Sequence, residues 1–164
     1  MTAPIDWTIA GLRSIGFEGF IPIGDLEDLD VPAPPGVYVI ARQHAAPKFL
    51  PSSPAGRFKG RDPSVSIDLL ESSWVPGAEV IYIGKATAGL RGNRGLRARL
   101  NEYLRFGAGA PIGHWGGRFI WQLEDAGELL VAWKLSSAPT ELESEMIRHF
   151  ADHFGVLPFA NLRR

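Results

Sequence analysis

The order of its patterned segments is what most constrains the fold of this chain. Four runs are rich in β-branched and aromatic residues, as strands are, and two segments repeat apolar residues at the spacing of one helix face. The strand-like runs cover residues 36–41, 79–83, 119–123 and 129–134, and the helical patterns cover 94–105 and 140–153. The last two runs flank the turn-forming stretch 124–128 and predict a hairpin. The resulting order, β-β-α-β-β-α, predicts an α+β fold in which a small, mostly antiparallel sheet is flanked by helices.

The remaining sequence predicts one domain with an extension and an insertion. Residues 1–35 hold a short helical pattern at 4–15 and then an acidic loop, and we expect them to pack on the domain formed by 36–164. Five prolines make residues 42–78 irregular, apart from a short helix expected near 66–74. This long segment separates the first two strands.

The composition excludes several classes of protein. The 164 residues are 45% hydrophobic and 21% charged, as in an ordinary globular domain. Without cysteine, the chain has no disulfide, no thiol nucleophile and no cysteine-based zinc site. No apolar run approaches the roughly 18 residues of a membrane span, and the first residues lack the pattern of a secretion signal. We therefore expect a cytoplasmic protein without membrane contact.

Positive charge is concentrated in one strip of a chain whose net charge is only -1. Between residues 85 and 105 a single acid, Glu102, accompanies Lys85, Arg91, Arg94, Arg97, Arg99 and Arg105. A second small basic cluster consists of Arg57, Lys59 and Arg61. Such a strip indicates either contact with a polyanion or a solvated helix face, and charge alone does not separate the two.

Glu143 is the residue that fits a purely structural role least well. It falls inside the apolar stripe of the final helix, among Leu142, Met146, Ile147 and Phe150. Burying an unpaired carboxylate costs several kcal/mol, so it needs a hydrogen bond, a cation or a metal. Helix capping is the alternative, since residues 140–143 match a Ser/Thr-x-x-Glu capping box, unless Pro139 takes the first helical position and spoils it.

Other side chains are candidates when taken together. Tyr38 and Tyr82 occupy strand positions from which one face of a strand pair could present both rings. Arg99 lies beside a leucine stripe, with Tyr103 one turn further along, and an arginine there can hold its planar fork toward an oxyanion. Lys85 follows Gly84, where the backbone can approach a ligand closely. His114 lies in a glycine-rich loop and is either functional or a turn residue.

Five ordered elements resemble the GIY-YIG nuclease family. They are Gly36-Val37-Tyr38, Tyr82-Ile83-Gly84-Lys85, Arg99-Leu100-Asn101-Glu102-Tyr103, Glu143-Ser144-Glu145-Met146-Ile147 and Asn161. The resemblance spans about residues 35–162, with Val37 where the family has its first isoleucine. The chain departs from the family in the length of the insertion at residues 42–78 and in three extra arginines before Arg99.

The resemblance implies a metal-dependent endonuclease that hydrolyses phosphodiester bonds of a nucleic acid. We expect that nucleic acid to be DNA, although the sequence does not separate DNA from RNA. The resemblance also implies that Glu143 binds Mg²⁺ or Mn²⁺, that Arg99 stabilises the charged phosphate, and that Tyr38 in preference to Tyr82 activates water. Lys85 would assist that tyrosine, while Tyr103 and Asn161 would orient the site. The residues expected to contact substrate are Arg91, Arg94, Arg97 and His114.

Two questions stay open at this level. Specificity would have to come from the insertion, from residues 1–35, from a homodimer or from a partner protein. The alternative functions are a catalytically silent nucleic-acid-binding module and a protein-interaction domain on the same fold.

Overall fold

The protein folds around an antiparallel sheet of four strands in the order β1-β4-β2-β3. The computed structural model describes residues 4–43 and 46–162; residues 1–3 of the predicted extension, 44–45 of the insertion and 163–164 of the predicted domain lie outside them. The strands are β1 (Glu18–Pro22), β2 (Gly36–Ala41), β3 (Val80–Ala86) and β4 (Leu130–Leu135). The helices are α1 (Ile9–Ser14), α2 (Ile67–Ser73), α3 (Leu96–Gly107) and α4 (Pro139–Phe154). The α+β prediction is confirmed.

Two apolar cores sandwich the sheet. On one face, Tyr38 and Ile40 pack with the leucine stripe of α3. On the other face, Val37 and Val39 pack with α1 and with the apolar stripe of α4. Every residue of β2 is buried, because this strand is paired on both edges and covered on both faces. The predicted strand at residues 36–41 is therefore confirmed at both ends.

The predicted hairpin at residues 119–134 is wrong in its first half. Residues 119–123 do not form a strand, since Trp115–Gln122 is a 3-10 helix, kinked at Gly117, that contributes Phe119 and Ile120 to the core. A short apolar run buried on all sides has the same composition in a strand and in a helix, so periodicity does not separate them. Both edges of β4 are also occupied, by β1 and β2, which leaves no place for a hairpin partner.

The N-terminal segment contributes a strand where the sequence predicted only an acidic loop. β1 pairs antiparallel with β4, with a register shift between Gly19 and Ile21. Trp7 meets Phe150 of α4 edge to face, with ring centroids 5.1 Å apart. Residues 4–35 are thus an integral part of the sheet and of its second core.

A buried glutamine joins two parts of the insertion at residues 42–78 to the domain. The Gln122 side chain accepts the Val65 N–H at 3.0 Å and donates to the carbonyls of Leu50 and Val65 at 2.9 and 2.8 Å. Leu50 also donates its N–H to the Gln122 carbonyl at 2.8 Å. Both arms of the insertion are therefore tied to a single side chain that is fully buried.

Replacing this glutamine should loosen the insertion. Gln122→Leu removes three part-buried hydrogen bonds and leaves their backbone partners without that bond, at a cost of at most about 3 kcal/mol for each group. We expect a clear drop in the urea midpoint and new protease cleavage between residues 46 and 78. Gln43→Leu, at an exposed glutamine, is the matched control and should change neither. Equal protease resistance in the two variants would show that Gln122 does not fasten the insertion.

None of the helices formed by residues 4–43 and 46–162 combines the length and the apolarity needed to cross a membrane.

Candidate active site

The candidate site lies along β3, the strand at one end of the sheet. The chain after α4 runs beside this edge, where Ala160 donates its N–H to the Ile81 carbonyl at 2.9 Å. The Asn161 side chain forms two hydrogen bonds with the backbone of Ile83: its Oδ1 accepts the Ile83 N–H at 3.0 Å, and its Nδ2 donates to the Ile83 carbonyl at 2.9 Å. These bonds fix the backbone on the C-terminal side of Tyr82, so Asn161 positions the site.

The three tyrosines of the chain converge beneath this edge. The ring of Tyr82 lies 6.0 Å from that of Tyr38 and 5.7 Å from that of Tyr103, and Tyr38 and Tyr103 are 6.3 Å apart, centroid to centroid. The Tyr103 hydroxyl donates to the Gly117 carbonyl at 2.7 Å. Glycine is required at position 84, because a Cβ there would lie 2.4 Å from the Tyr38 ring.

Burial makes all three tyrosines harder to deprotonate. It raises the pKa of Tyr38 well above 10.0, reinforced by Tyr82 and opposed by Arg99. Burial also raises the pKa of Tyr82, partly offset by Tyr38 and Arg99. The pKa of Tyr103 rises well above its ordinary value for the same reason. The charge of Arg99 therefore does not lower these pKa values enough to make a phenolate base in the protein alone.

Tyr82 is the tyrosine that reaches the cavity beside β3. Tyr38 is 1% exposed and Tyr82 8% exposed. The ring of Tyr38 lies against Gly84, inside the core between the sheet and α3. The sequence favoured Tyr38 as the tyrosine that activates water, whereas in the structure Tyr82 lines the cavity and Tyr38 does not.

Glu143 projects from the first turns of α4 into the same cavity. The helix begins with Pro139 after Ala138, and no side chain caps it. The capping alternative is therefore excluded, and Glu143 forms no hydrogen bond or ion pair with any residue that the structure describes. Burial raises its pKa above 4.5, although Lys85 and Arg99 act in the opposite direction.

This cavity, of about 640 Å³, combines one acid with several cationic and aromatic groups. Glu143, Lys85 and Tyr82 line it together with Asn161. Arg61 of the insertion and Trp115 also reach it. A recess of about 200 Å³ lies alongside, lined by Lys85, Thr87, Arg94 and Arg99. Lys85 is shared by the two spaces, which places the cationic recess next to the carboxylate.

The site fits a metal held by a single carboxylate. Within residues 4–43 and 46–162, no three histidine, aspartate or glutamate side chains cluster as a metal cage would require. Mg²⁺ is commonly bound through one or two carboxylates, with water and substrate phosphate supplying the remaining oxygens. The unpaired oxygens of Glu143 meet that requirement.

The residues expected to contact substrate do not all face the site. Arg91 is exposed on the loop before α3, and Arg94 lines the cationic recess, where it pairs with Glu102. Arg97 instead donates from Nε to the carbonyls of Asp28 and Val31, at 3.1 and 2.9 Å, and so binds the N-terminal segment. Arg97 is therefore engaged with the N-terminal segment and lines neither the cavity nor the recess.

His114 is also unavailable to substrate, because it is only 2% exposed. Its ring lies 4.7 Å from that of Tyr103, and its Nε2 has no hydrogen-bond partner among the described residues. Burial, assisted by the Arg99 charge, lowers the pKa of His114 from 6.5 to about 3. His114 is therefore a neutral ring that supports Tyr103.

The buried His114 should make the protein sensitive to acid. The unfolded chain takes up a proton near pH 6.5 that the folded chain refuses until about pH 3, so stability present above pH 6.5 is lost as the pH falls. We expect His114→Gln to reduce the slope of stability against pH in that window by up to about 1.4 kcal/mol per unit. Urea midpoints between pH 4 and pH 7 measure it. His153→Gln, at an exposed histidine, is the control, and equal slopes in the two variants would contradict the prediction.

Sequence reasoning missed two parts of the site. Trp115 lies in a glycine-rich loop without periodicity, so the sequence pattern does not distinguish it from a turn residue. Arg61 was noticed only as part of a basic cluster, because its distance in sequence from Glu143 hides their shared cavity.

Comparison of the chain with family models, with curated proteins and with solved structures finds no match. The function must therefore be inferred from the site itself.

Proposed function

We propose that this protein is a metal-dependent endonuclease of the GIY-YIG type that hydrolyses phosphodiester bonds, with DNA as the preferred substrate. One observation carries the proposal: an unpaired, half-buried carboxylate, Glu143, shares a cavity with Tyr82 and Lys85, beside a recess lined by Arg99. The order of the motif residues along the chain, from Gly36 to Asn161, supports the same conclusion.

Each group has a role in this proposal that matches its surroundings. Glu143 would hold Mg²⁺ or Mn²⁺, and such an ion would supply Lewis-acid polarisation of the phosphoryl group. Arg99 and Lys85 bind the phosphate oxygens and stabilise the charge that grows on them. Because its pKa is raised, neutral Tyr82 orients the attacking water by hydrogen bonding. Tyr38, Tyr103 and Asn161 hold Tyr82 in place.

A cleavage assay tests the proposal. Supercoiled plasmid, linear duplex, flap and single-stranded DNA, together with RNA, are incubated with the protein in Mg²⁺, in Mn²⁺ or in EDTA. We expect metal-dependent strand cleavage of at least one DNA, abolished by EDTA. Salt-dependent binding without cleavage of any substrate would overturn the proposal and favour the catalytically silent binding module, since phosphate contacts release counterions. A lack of both binding and cleavage would overturn it in favour of a protein-interaction domain.

A further inference from the structure

The tip of the insertion packs against the loop that precedes the 3-10 helix Trp115–Gln122. Residues 58–61 form a tight turn, in which Arg61 donates its N–H to the Phe58 carbonyl at 3.1 Å and Lys59 and Gly60 have φ of 53° and 74°. The Phe58 ring packs so closely on Gly113 that a Cβ there would lie 3.2 Å from it. The turn therefore places Arg61 beside the loop that contains Gly113.

Arg61 is stacked on an aromatic ring at the edge of the cavity. Its guanidinium carbon lies 4.7 Å from the centre of the Trp115 ring. Arg118 lies at the same distance from that ring and donates to the Trp115 carbonyl at 3.2 Å. Stacking on tryptophan restricts a guanidinium to one plane and leaves its N–H edge available for an anion. Both Arg61 and Trp115 line the cavity that contains Glu143.

The charge of Arg61 is not neutralised by any acid that the structure describes. The neighbouring Arg57, by contrast, pairs with Asp62 at 3.3 Å. Glu143 is the single acid among the residues that line the cavity. The cavity, of about 640 Å³, is larger than one phosphate group. A nucleic-acid strand with one phosphate beside Glu143 would therefore also occupy the part of the cavity lined by Arg61.

We propose that Arg61, oriented by Trp115, binds a phosphate flanking the scissile one, which makes the 42–78 insertion a substrate clamp. This inference rests on the proposed nuclease function. Under this proposal the insertion affects the affinity for substrate, whereas Glu143, Arg99 and Lys85 affect the rate of cleavage. Trp115 is a positioning residue, since it acts through the guanidinium.

Kinetic and binding measurements on Arg61→Gln test the clamp. We expect KM to rise about tenfold, as for a lost charged hydrogen bond, with kcat within about twofold of wild type. The dissociation constant for a labelled oligonucleotide, measured without divalent metal, should rise equally. The slope of log K against log salt should fall by about 0.7–0.9, the contribution of one phosphate contact. Arg57→Gln, at a paired arginine of the same insertion, should leave all four quantities unchanged.

Two further variants separate charge from geometry. Arg61→Lys keeps the charge but loses the planar fork, and Trp115→Leu keeps Arg61 but removes its support. Both should raise KM by less than Arg61→Gln does, and melting temperatures establish that each variant is folded. If the wild-type protein cleaves DNA and Arg61→Gln shows the same salt slope and the same KM as the wild type, the clamp is overturned. A tenfold loss of kcat at constant KM would overturn it as well. If the wild type cleaves nothing, the nuclease proposal fails, and the oligonucleotide affinities still decide whether Arg61 contacts a phosphate.

Discussion

Glu143→Gln is expected to reduce metal-dependent cleavage by at least about three orders of magnitude. The substitution keeps the size of the side chain but removes the charge that holds the ion, and stabilisation by such an ion supplies several kcal/mol at the transition state. Plasmid nicking under single-turnover conditions measures the loss. Glu141→Gln, at an exposed glutamate of the same helix, is the matched control and should retain wild-type activity. Activity of Glu143→Gln close to wild type would remove the central assignment.

The same variant should be at least as stable as the wild type when metal is absent. Because burial raises the pKa of Glu143, its charged form destabilises the folded state at neutral pH, and that cost disappears as the pH falls through the raised pKa. We therefore expect the metal-free melting temperature of Glu143→Gln to equal or exceed that of the wild type at pH 7. Added Mg²⁺ should stabilise the wild type, by about 2.7 kcal/mol at a concentration 100 times its dissociation constant, and should not stabilise the variant. An equal Mg²⁺ shift in both proteins would place the ion elsewhere.

The parts of the fold that follow from local pattern could be predicted from the sequence. β2 is predicted to the residue because it is buried on both faces and reads as a continuous apolar run. The start of α4 follows from Pro139, which suits the first helical position. β1 could not be found in this way, because Glu18–Pro22 contains Gly19 and a terminal proline and becomes a strand only by pairing with β4. β1 therefore forms because of its tertiary pairing with β4 and not because of the strand propensity of its residues.

The candidate site shows the same division. Glu143 could be predicted because a carboxylate inside the apolar stripe of a helix is costly to bury unpaired. The structure places it in a cavity, without a partner among the described residues. The arginines that precede Arg99 could not be sorted by sequence, since charge says nothing of side-chain direction. Arg94 lines the recess, whereas Arg97 turns to the carbonyls of Asp28 and Val31. The burial of His114 depends on the packing of a glycine-rich loop against Tyr103, which no periodic pattern encodes.

Arg99 is the second residue whose removal should have a large effect. It lies in α3 with 36% of its side chain exposed, lines the recess beside Lys85, and is one of the groups that lower the pKa of Tyr38 and of Tyr82. Its charge therefore acts on the tyrosine cluster and is open to a bound phosphate. Glu102 lies 3.5 Å from it, a separation at which a half-exposed ion pair is weak and a phosphate can compete.

Arg99→Ala is accordingly expected to lower kcat by about 100- to 1000-fold, the usual cost of removing one group that stabilises transition-state charge. KM should change far less, because the interaction strengthens as charge accumulates on the phosphate. Arg99→Lys should restore part of the rate, since it keeps the charge but loses the two-pronged geometry. Arg105→Ala, at an exposed arginine in the last turn of the same helix, controls for general loss of positive charge and should leave kcat unchanged. If Arg99→Ala raised KM and preserved kcat, Arg99 would bind substrate as Arg61 is proposed to do, and the stabilisation of the transition state would have to come from Lys85 and the metal alone.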